Sequence, residues 1–321
     1  MTMNKKTDIR MLLANLAPLA GLVLLLVVYL ILAWINGTNI SYGLKNIINQ
    51  SVIVITAATG AVFIYAIGSF DISLGASLCF SAITGAMAFN ATQSILVMAL
   101  VCIGVAIFIS LVNSTLATVF NLPVFVTTIA MLSLLNALIL VLIGANGSGD
   151  IVKVPAAAVT KLNTMWFRIL VMVIYLAFSI FIFNFLRQGR DEKLLGGNIV
   201  CAKLSGVNTK SVPIIAFVMA GLGVGLAAFL QIIYAPTLSR TTASSVGMDV
   251  IMAIVFGGMP VSGGAKSKIH VACIGTFSMV ILSQIMQILS LDAGIGQMVK
   301  AVIFLAVVFI SMANNKKILA R

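Results

Sequence analysis

Repeated long apolar runs constrain this chain more than any other feature of its sequence. Residues 12–35 form the first run, and more of similar length follow. A helix needs about 20 apolar residues to cross a hydrocarbon core of about 30 Å, so a run of this kind is long enough to cross once. The runs are continuous, whereas barrel strands alternate apolar and polar side chains, and an open sheet could not satisfy its backbone in lipid. The sequence therefore predicts an all-α, polytopic membrane protein.

We predict about ten apolar segments, which together form one transmembrane domain over residues 1–321. The first is too long for the apolar part of a signal peptide and has no small-residue cleavage site after it, so we expect it to remain as the first span. The eighth is too short to span unaided and favours a broken or re-entrant helix buried in protein. The predicted segments are residues 12–35, 46–67, 72–90, 95–119, 123–144, 166–186, 211–233, 248–258, 268–290 and 296–313.

The charge of the chain is explained by membrane insertion rather than by nucleic acid. Charged residues make up only 8% of the sequence, yet the net charge is +12. No nucleic-acid module is visible, and basic residues collect in the cytoplasmic loops of membrane proteins. With a cytoplasmic N terminus and ten crossings, 13 of the 19 basic residues fall inside, so we expect both termini in the cytoplasm. The six assigned outside are Lys45, Lys153, Lys161, Arg168, Arg240 and Lys300.

Cofactor and nucleotide sites are not indicated by the sequence. The cysteines Cys79, Cys102, Cys201 and Cys273 lack metal-ligand spacing, and three lie in apolar runs, so we expect neither disulfides nor a metal. No GxxxxGK[ST] motif occurs, so an ATP-driven process would need a separate ATPase polypeptide.

The most charged stretch is residues 187–210, RQGRDEKLLGGNIVCAKLSGVNTK, between two apolar runs. Within it, Asn198 can cap a short helix that runs to Leu204, and Gly206 can end that helix. The same orientation places the stretch in the cytoplasm, where another protein can contact it. We expect Gly197 and Gly206 to be limited by their backbones, so that added bulk at either would uncouple a partner ATPase from transport while the protein still inserts.

Two glycine-rich breaks interrupt the spans, at residues 68–76 (GSFDISLGA) and 257–265 (GGMPVSGGA). Aligned on Gly68 and Gly257, they share a small-residue pattern. Related breaks in two halves of a chain point to a transport pathway, although chance similarity between glycine-rich turns explains the pattern as well. The candidate translocation or gating residues are Gly68, Asp71, Ser73, Gly75, Gly257, Gly258, Ser262, Gly263 and Gly264.

Asp71 is one of few acids close to the apolar spans and has two interpretations. A carboxylate at membrane depth indicates function, because its burial is costly. It can equally cap the third span by accepting amide hydrogen bonds, and Asp249 can start the eighth segment in the same manner. The lone histidine, His270, lies near a span end and gives no proton relay. Scattered uncharged polar residues in the spans suit either a neutral hydroxylated solute or hydrogen bonds between helices.

Four blocks in order resemble the membrane subunits of bacterial ribose/xylose/galactose-type ABC importers. They are GSFDISLGAS (68–77), LPVFVTTIAML (122–132), LLGGNIVCAKLSGVN (194–208) and GMDVIMAIVFGGMPVSGG (247–264), and QMVKAVIFLAVV (297–308) is similar to the family's last span. The resemblance covers nearly the whole chain. It implies the fold of the vitamin B12-type importer permeases, with about ten helices per subunit and two subunits per transporter.

The resemblance also implies a coupling loop that sits on the ATPase. The residues that carry this role over are Gly196, Gly197, Asn198, Ala202, Leu204, Ser205 and Gly206. The chain departs from the family pattern at Ser69, Phe70, Asp191, Glu192 and Pro260, at Ala265-Lys266, and at Gly247 where an acid is often found. These departures bear on the solute and on whether the chain pairs with itself or with a second, related permease.

The sequence therefore predicts the permease subunit of an ATP-driven importer for a monosaccharide or similar polar solute in the bacterial cytoplasmic membrane. The expected partners are ATPase subunits that carry ATP and Mg²⁺, a second permease subunit, and a periplasmic or lipid-anchored binding protein. Residues 145–165 have a Gly/Ser-rich start and contain Pro155, so we expect an irregular outer loop. This loop is either a contact for that external partner or a connector. The alternatives are a secondary, ion-coupled carrier, against which the missing acid or histidine relay counts, and an importer of a nucleoside or polyol. No constellation for an intramembrane enzyme is visible.

Overall fold

A computed structural model describes residues 5–145, 151–243, 245–260 and 262–319. Helices dominate these residues, and one pair of short strands completes the regular structure. The elements, in chain order, are α1 (Lys5–Ile35), α2 (Ile40–Ala66), α3 (Leu74–Thr92), α4 (Ile95–Thr118), α5 (Val124–Ala145), β1 (Ile151–Lys153), α6 (Ala156–Val159), α7 (Met165–Phe185), α8 (Arg187–Gly197), α9 (Ile199–Leu204), α10 (Ser211–Tyr234), β2 (Thr237–Ser239), α11 (Val246–Phe256), α12 (His270–Ile288) and α13 (Ala293–Leu319).

Eight of the described helices are long and apolar enough to cross a membrane: α2, α3, α4, α5, α7, α10, α12 and residues Ala17–Ile35 of α1. Two further apolar stretches are shorter, Val246–Phe256 in α11 and Gly294–Phe309 in α13. Every predicted apolar segment falls within or overlaps one of these ten helices, so the helical prediction is confirmed. The eighth segment is a helix of 11 residues, as its shortness indicated. That the chain crosses the membrane ten times stays a prediction.

The described chain divides into two compact units. One contains Met1–Ser51, Met252–Val261 and His270–Arg321, and the other contains Val52–Ile251 and Ser262–Ile269. We call them the terminal unit and the central unit. In the terminal unit, α1 packs along α12, and Tyr29 and Ala33 are buried against Ile281.

The central unit is held together by close packing of α10 on α4. Gly221 and Gly225 are four residues apart and therefore lie on one face of α10. A Cβ on Gly225 would lie 2.9 Å from the carbonyl oxygen of Cys102, and one on Gly221 would lie 3.0 Å from that of Ala106. Small residues at this spacing let two membrane helices approach until their backbones touch, which strengthens the dispersion attraction that drives association in lipid.

At the end of the central unit away from α8, two distant parts of the chain form a small antiparallel sheet. Ile151 pairs with Ser239, and Lys153 pairs with Thr237. The side chain of Asn90, near the end of α3, donates a hydrogen bond to the carbonyl oxygen of Lys153 at 3.0 Å. Residues 151–159 are therefore partly ordered as a strand and a short helix, rather than irregular throughout as the sequence indicated; residues 146–150 of that loop lie outside the described residues.

We predict that Gly225→Ala destabilises the protein, because its new methyl group would force α10 away from the backbone of α4. Overpacking of this kind costs about 1–3 kcal/mol. The measurement is thermal unfolding of the purified protein in detergent. Gly104→Ala is the matched control, because Gly104 is an exposed helical glycine with nothing within 4 Å of its would-be Cβ. Equal melting temperatures for the two variants would contradict the packing described above.

Candidate functional site

The charged stretch 187–210 consists of two consecutive helices, α8 and α9. We call it the coupling segment, after the role that the sequence resemblance implies for it. The sequence predicted only the second helix, because Gly189, Gly196 and Gly197 made the first stretch resemble a loop. Its helical form is supported by a salt bridge of 3.3 Å between Arg187 Nε and Asp191 Oδ2, which lie one turn apart.

The α9 helix begins and ends as predicted. Asn198 Oδ1 accepts hydrogen bonds from the backbone amides of Val200 at 2.9 Å and Cys201 at 3.1 Å. Gly206 has a φ of +78°. Its amide donates a hydrogen bond to the Lys203 carbonyl oxygen, and the Val207 amide donates one to the Ala202 carbonyl oxygen. This pair of bonds is the Schellman motif, which a left-handed glycine allows. The helix limits therefore follow from Asn198 and Gly206.

One face of the coupling segment is apolar and exposed. Leu204 is 84% exposed, although it lies outside the long apolar helices that lipid could cover. An exposed apolar patch outside the membrane spans marks a surface that contacts either another protein or the membrane. The exposed large apolar residues of the segment are Leu194, Ile199, Val200 and Leu204. Ser205, which follows Leu204, is also exposed.

The opposite face packs into the central unit. Ala202 is buried in a cluster with Leu195, Val207 and Val212, the last of which lies in the first turn of α10. Lys193 lies 4.3 Å from the ring centroid of Phe183 in α7, a favourable cation–π contact. The segment is thus fixed to α7 and α10 on one side and open on the other.

Glu192 is a buried acid within this packed face. Gln188 Nε2 donates to Glu192 Oε1 at 2.7 Å and to the Val212 carbonyl at 3.1 Å, so the two side chains connect α8 to α10. Glu192 Oε2 has no hydrogen-bond partner among the described residues. Burial raises the pKa of Glu192 to about 8, because the charged form loses its hydration. Sequence reasoning noted Glu192 only as a departure from the family pattern.

The first break, between α2 and α3, contains a buried polar chain. Asp71 Oδ1 accepts hydrogen bonds from the Ser73 amide at 2.8 Å and the Ser73 hydroxyl at 2.6 Å. Asn113 Nδ2 in α4 donates to the Ser73 hydroxyl oxygen at 3.0 Å. Asp71 therefore forms a turn with Ser73 immediately before α3. The N-cap of α3 is Ser73, and Asp71 Oδ1 bonds to Ser73 rather than to an amide of the helix, so the expectation that Asp71 caps the third span is wrong. Sequence reasoning had Asn113 only as one of many scattered polar residues.

Asp249 lies inside its helix rather than before it. The α11 helix begins at Val246, so Asp249 is in its first turn, and its backbone amide donates to the Ser245 carbonyl. The eighth segment therefore begins before Asp249, and the expectation that Asp249 starts it is wrong. Gly247, in the same turn, packs directly against Gly75 at the start of α3: a Cβ on Gly75 would lie 2.8 Å from the Gly247 amide nitrogen. A larger side chain at Gly247 would separate these helix ends.

In both breaks a glycine with a left-handed backbone ends the preceding helix. In the second break this glycine comes one residue later than the sequence alignment predicted. Gly68 has a φ of +76° after α2 and Gly258 has a φ of +92° after α11. Each glycine and the residue after it donate the two amide hydrogen bonds of a Schellman turn. Gly68 thus corresponds to Gly258 rather than to Gly257. Gly257 and Gly258 lie in the terminal unit, where a Cβ on Gly257 would collide with Val271.

The remaining candidate glycines meet in the central unit, at a place we call the glycine junction: residues 66–68, 196–197 and 262–264. The Gly264 amide donates to the carbonyl oxygen of Ala66, the last residue of α2, at 2.9 Å. A Cβ on Gly196 would collide with the same oxygen. A Cβ on Gly68 would lie 3.0 Å from the Ser262 carbonyl oxygen. Three separate segments therefore touch through their backbones.

Gly197 differs from its neighbour. A Cβ on Gly197 would meet nothing within 4 Å, and its φ is not positive. The expectation of a backbone limit is therefore wrong for Gly197; it holds for Gly206, whose φ is left-handed. The crowded position is Gly196, because there the α8 backbone reaches Ala66 and Gly264.

Comparison with known proteins identifies the class of the chain. Residues 43–311 match the family described as branched-chain amino acid transport system / permease component. The chain belongs to this permease family. It is a multi-pass membrane protein and a transport component rather than an enzyme. No solved structure matches it.

Curated relatives cover most of the chain at modest identity. The ribose import permease protein RbsC of Escherichia coli (strain K12) is 27% identical over 294 residues, which cover 85% of this permease and 86% of the relative. The autoinducer 2 import system permease protein LsrC of Yersinia pseudotuberculosis serotype O:3 (strain YPIII) is 27% identical over 266 residues, which cover 81% of this chain and 74% of the relative. The LsrC of Photorhabdus luminescens is 24% identical over 265 residues, covering 81% and 79%.

We predict that docking of α8 weakens as pH rises, because docked Glu192 binds a proton more tightly than free Glu192. Its pKa is about 8 when docked against an ordinary 4.5. The stabilisation is therefore full below about pH 4.5, declines as pH rises to about 8, and is constant above that. Amide hydrogen exchange of α8 at several pH values measures this, after correction for the intrinsic pH dependence. Glu192→Gln should remove the dependence, whereas the control Asp191→Asn should keep it.

Proposed function

We propose that this chain is the permease subunit of an ATP-driven importer for a monosaccharide or a similar polar solute, in a bacterial cytoplasmic membrane with both termini inside. The observation that carries the proposal is the coupling segment: a capped helix pair, packed on one face and apolar and exposed on the other, outside the long apolar helices. An exposed apolar face beside a membrane domain suits a permanent protein partner. The family match and the named relatives supply the class of that partner.

In this proposal Gly196, Gly197, Asn198, Ala202, Leu204, Ser205 and Gly206 form the coupling site for an ATPase subunit. ATP and Mg²⁺ bind that subunit and not this chain. Nucleotide binding shifts the transporter between inward and outward arrangements, which requires that the nucleotide bind the two arrangements with different affinity. Two permease subunits, identical or homologous, line the path, in a fold of the vitamin B12-type importers with about ten crossings.

The solute class rests on the relatives and on the chemistry of the spans. RbsC is named for ribose and LsrC for autoinducer 2. Charged side chains are scarce within the apolar helices, which favours an uncharged polar solute over an ion. A periplasmic or lipid-anchored binding protein delivers the solute to the outer loops, with residues 151–164 as the proposed contact. The breaks at Gly68, Asp71, Ser73 and Gly75 and at 257–264 are the proposed gating elements.

The test is affinity purification of the tagged chain from its native membrane in mild detergent, with identification of the co-purified proteins. We predict recovery of a P-loop ATPase, and loss of that ATPase in Leu204→Asp, because a carboxylate in the exposed apolar face must be desolvated on docking. Leu289→Asp is the matched control: Leu289 is 47% exposed in the turn after α12, on the side predicted to be external.

Recovery of the permease without an ATPase, together with solute uptake into liposomes driven by an ion gradient, would instead identify a secondary carrier. An ATPase that stays bound to the Leu204→Asp variant would place the contact elsewhere on the chain.

We further predict that Cys201 reacts with a membrane-impermeant maleimide in inside-out vesicles but not in right-side-out vesicles. Cys201 is exposed in α9, whereas Cys79 and Cys102 are buried and Cys273 is partly buried. Bound ATPase should slow the labelling, since Val200 and Leu204 flank this thiol in the proposed contact. Cys201→Ser is the control that identifies the labelled site. Labelling from the periplasmic side would contradict the proposed orientation.

A further inference from the structure

Two adjacent glycines of the coupling segment have very different surroundings. Gly196 touches the end of α2 and the 262–264 segment, whereas Gly197 has open space where a side chain would begin. Both are in the last turn of α8, and both lack a left-handed φ. The α8 helix itself therefore does not require a glycine at position 196. Gly196 lies where α8 touches two separate parts of the protein, the end of α2 and the 262–264 segment.

The hydrogen bond at the junction explains why the approach is close. The last carbonyl groups of a helix lack partners within it, and the Ala66 carbonyl at the end of α2 finds one in the Gly264 amide at 2.9 Å. A Cβ on Gly263 would lie 2.7 Å from the Gly68 nitrogen and 2.8 Å from the Ala66 oxygen. Residues 263 and 264 can reach α2 this closely only because both are glycines.

The α8 backbone covers this hydrogen bond. A Cβ on Gly264 would lie 3.2 Å from both the Cα and the nitrogen of Gly197, and one on Gly196 would lie 2.9 Å from the Gly264 nitrogen. Contacts between backbones cannot adjust by changing a rotamer, so a displacement of one segment must displace the others or separate them. The coupling segment, the end of α2 and residues 262–264 are therefore a mechanically continuous unit.

We propose that the glycine junction transmits movement of the coupling segment to both loop breaks, with Gly196 as the positioning residue. The proposal rests on the proposed function, in which an ATPase moves this segment. In this proposal one contact, at Gly196, moves both breaks. These are residues 66–68 after α2 and residues 262–264 after α11.

The test uses the complex of the permease with its co-purified ATPase and needs no knowledge of the solute. Hydrogen–deuterium exchange is compared with and without ATP and vanadate for three peptides, which cover α9, the end of α2 with residues 67–68, and residues 262–269. In the unaltered complex we expect nucleotide to change exchange in all three. In Gly196→Ala, α9 should still respond, whereas the response of the other two peptides is lost because the added methyl group separates the junction.

Gly104→Ala is the matched control, because Gly104 is a helical glycine outside the coupling segment whose would-be Cβ has nothing within 4 Å. Both variants replace a helical glycine with alanine, so the gain in helix propensity is common to them. Gly104→Ala should keep the response of all three peptides, and identical behaviour of the two variants overturns the proposal. A purely structural role for Gly196 predicts a lower melting temperature with the nucleotide response retained, which also overturns it.

The unaltered complex provides a test that does not depend on folding of a variant. If nucleotide changes exchange in α9 but not in the end of α2 and residues 262–269, transmission through the junction is wrong while the importer assignment stands. If no ATPase-dependent change occurs in α9, the proposed function fails and the junction proposal fails with it.

Discussion

The need to pair every backbone amide and carbonyl group within the protein governs this structure. Lipid offers no hydrogen bonds, so each helix that ends or breaks near the membrane must find partners for its last carbonyl groups. Here these partners come from left-handed glycines that fold the chain back on its own helix, and at Ala66 from the amide of a distant segment. The breaks are therefore ordered, and the hydrogen bond from the Gly264 amide to the Ala66 carbonyl also connects one break to the other.

Close backbone packing is the second consequence of a lipid environment. Gly221 and Gly225 bring α10 onto α4, Gly75 meets Gly247, and Gly196 meets Ala66. In water such contacts would bury little apolar surface, but in lipid their dispersion energy and hydrogen bonds are the main forces left. The same feature makes the contacts sensitive to a single added methyl group. The packing of this permease therefore depends on a few glycines.

The long helices were predictable from sequence, because a continuous run of about 20 apolar residues is typical of a membrane-spanning helix. The α9 helix was predictable to the residue, since Asn198 and Gly206 give local chemical signals at its two ends. The α8 helix was missed because its glycines lower helix propensity, and packing of Leu195 and Gln188 on α10 supplies the missing stability. The error at Gly197 has the same origin: crowding depends on residues distant in sequence, and Gly196 and Gly197 look alike in the sequence alone.

The pairing of β1 with β2 has a consequence for biogenesis. The 83 residues from 154 to 236 separate the two strands and include α7 to α10. At about 5 to 20 residues per second, β1 leaves the ribosome about 4 to 17 seconds before β2. During that interval the edge of β1 has no partner strand, because α10 must be made before β2. This end of the central unit is therefore completed late, after the coupling segment at its other end has been made.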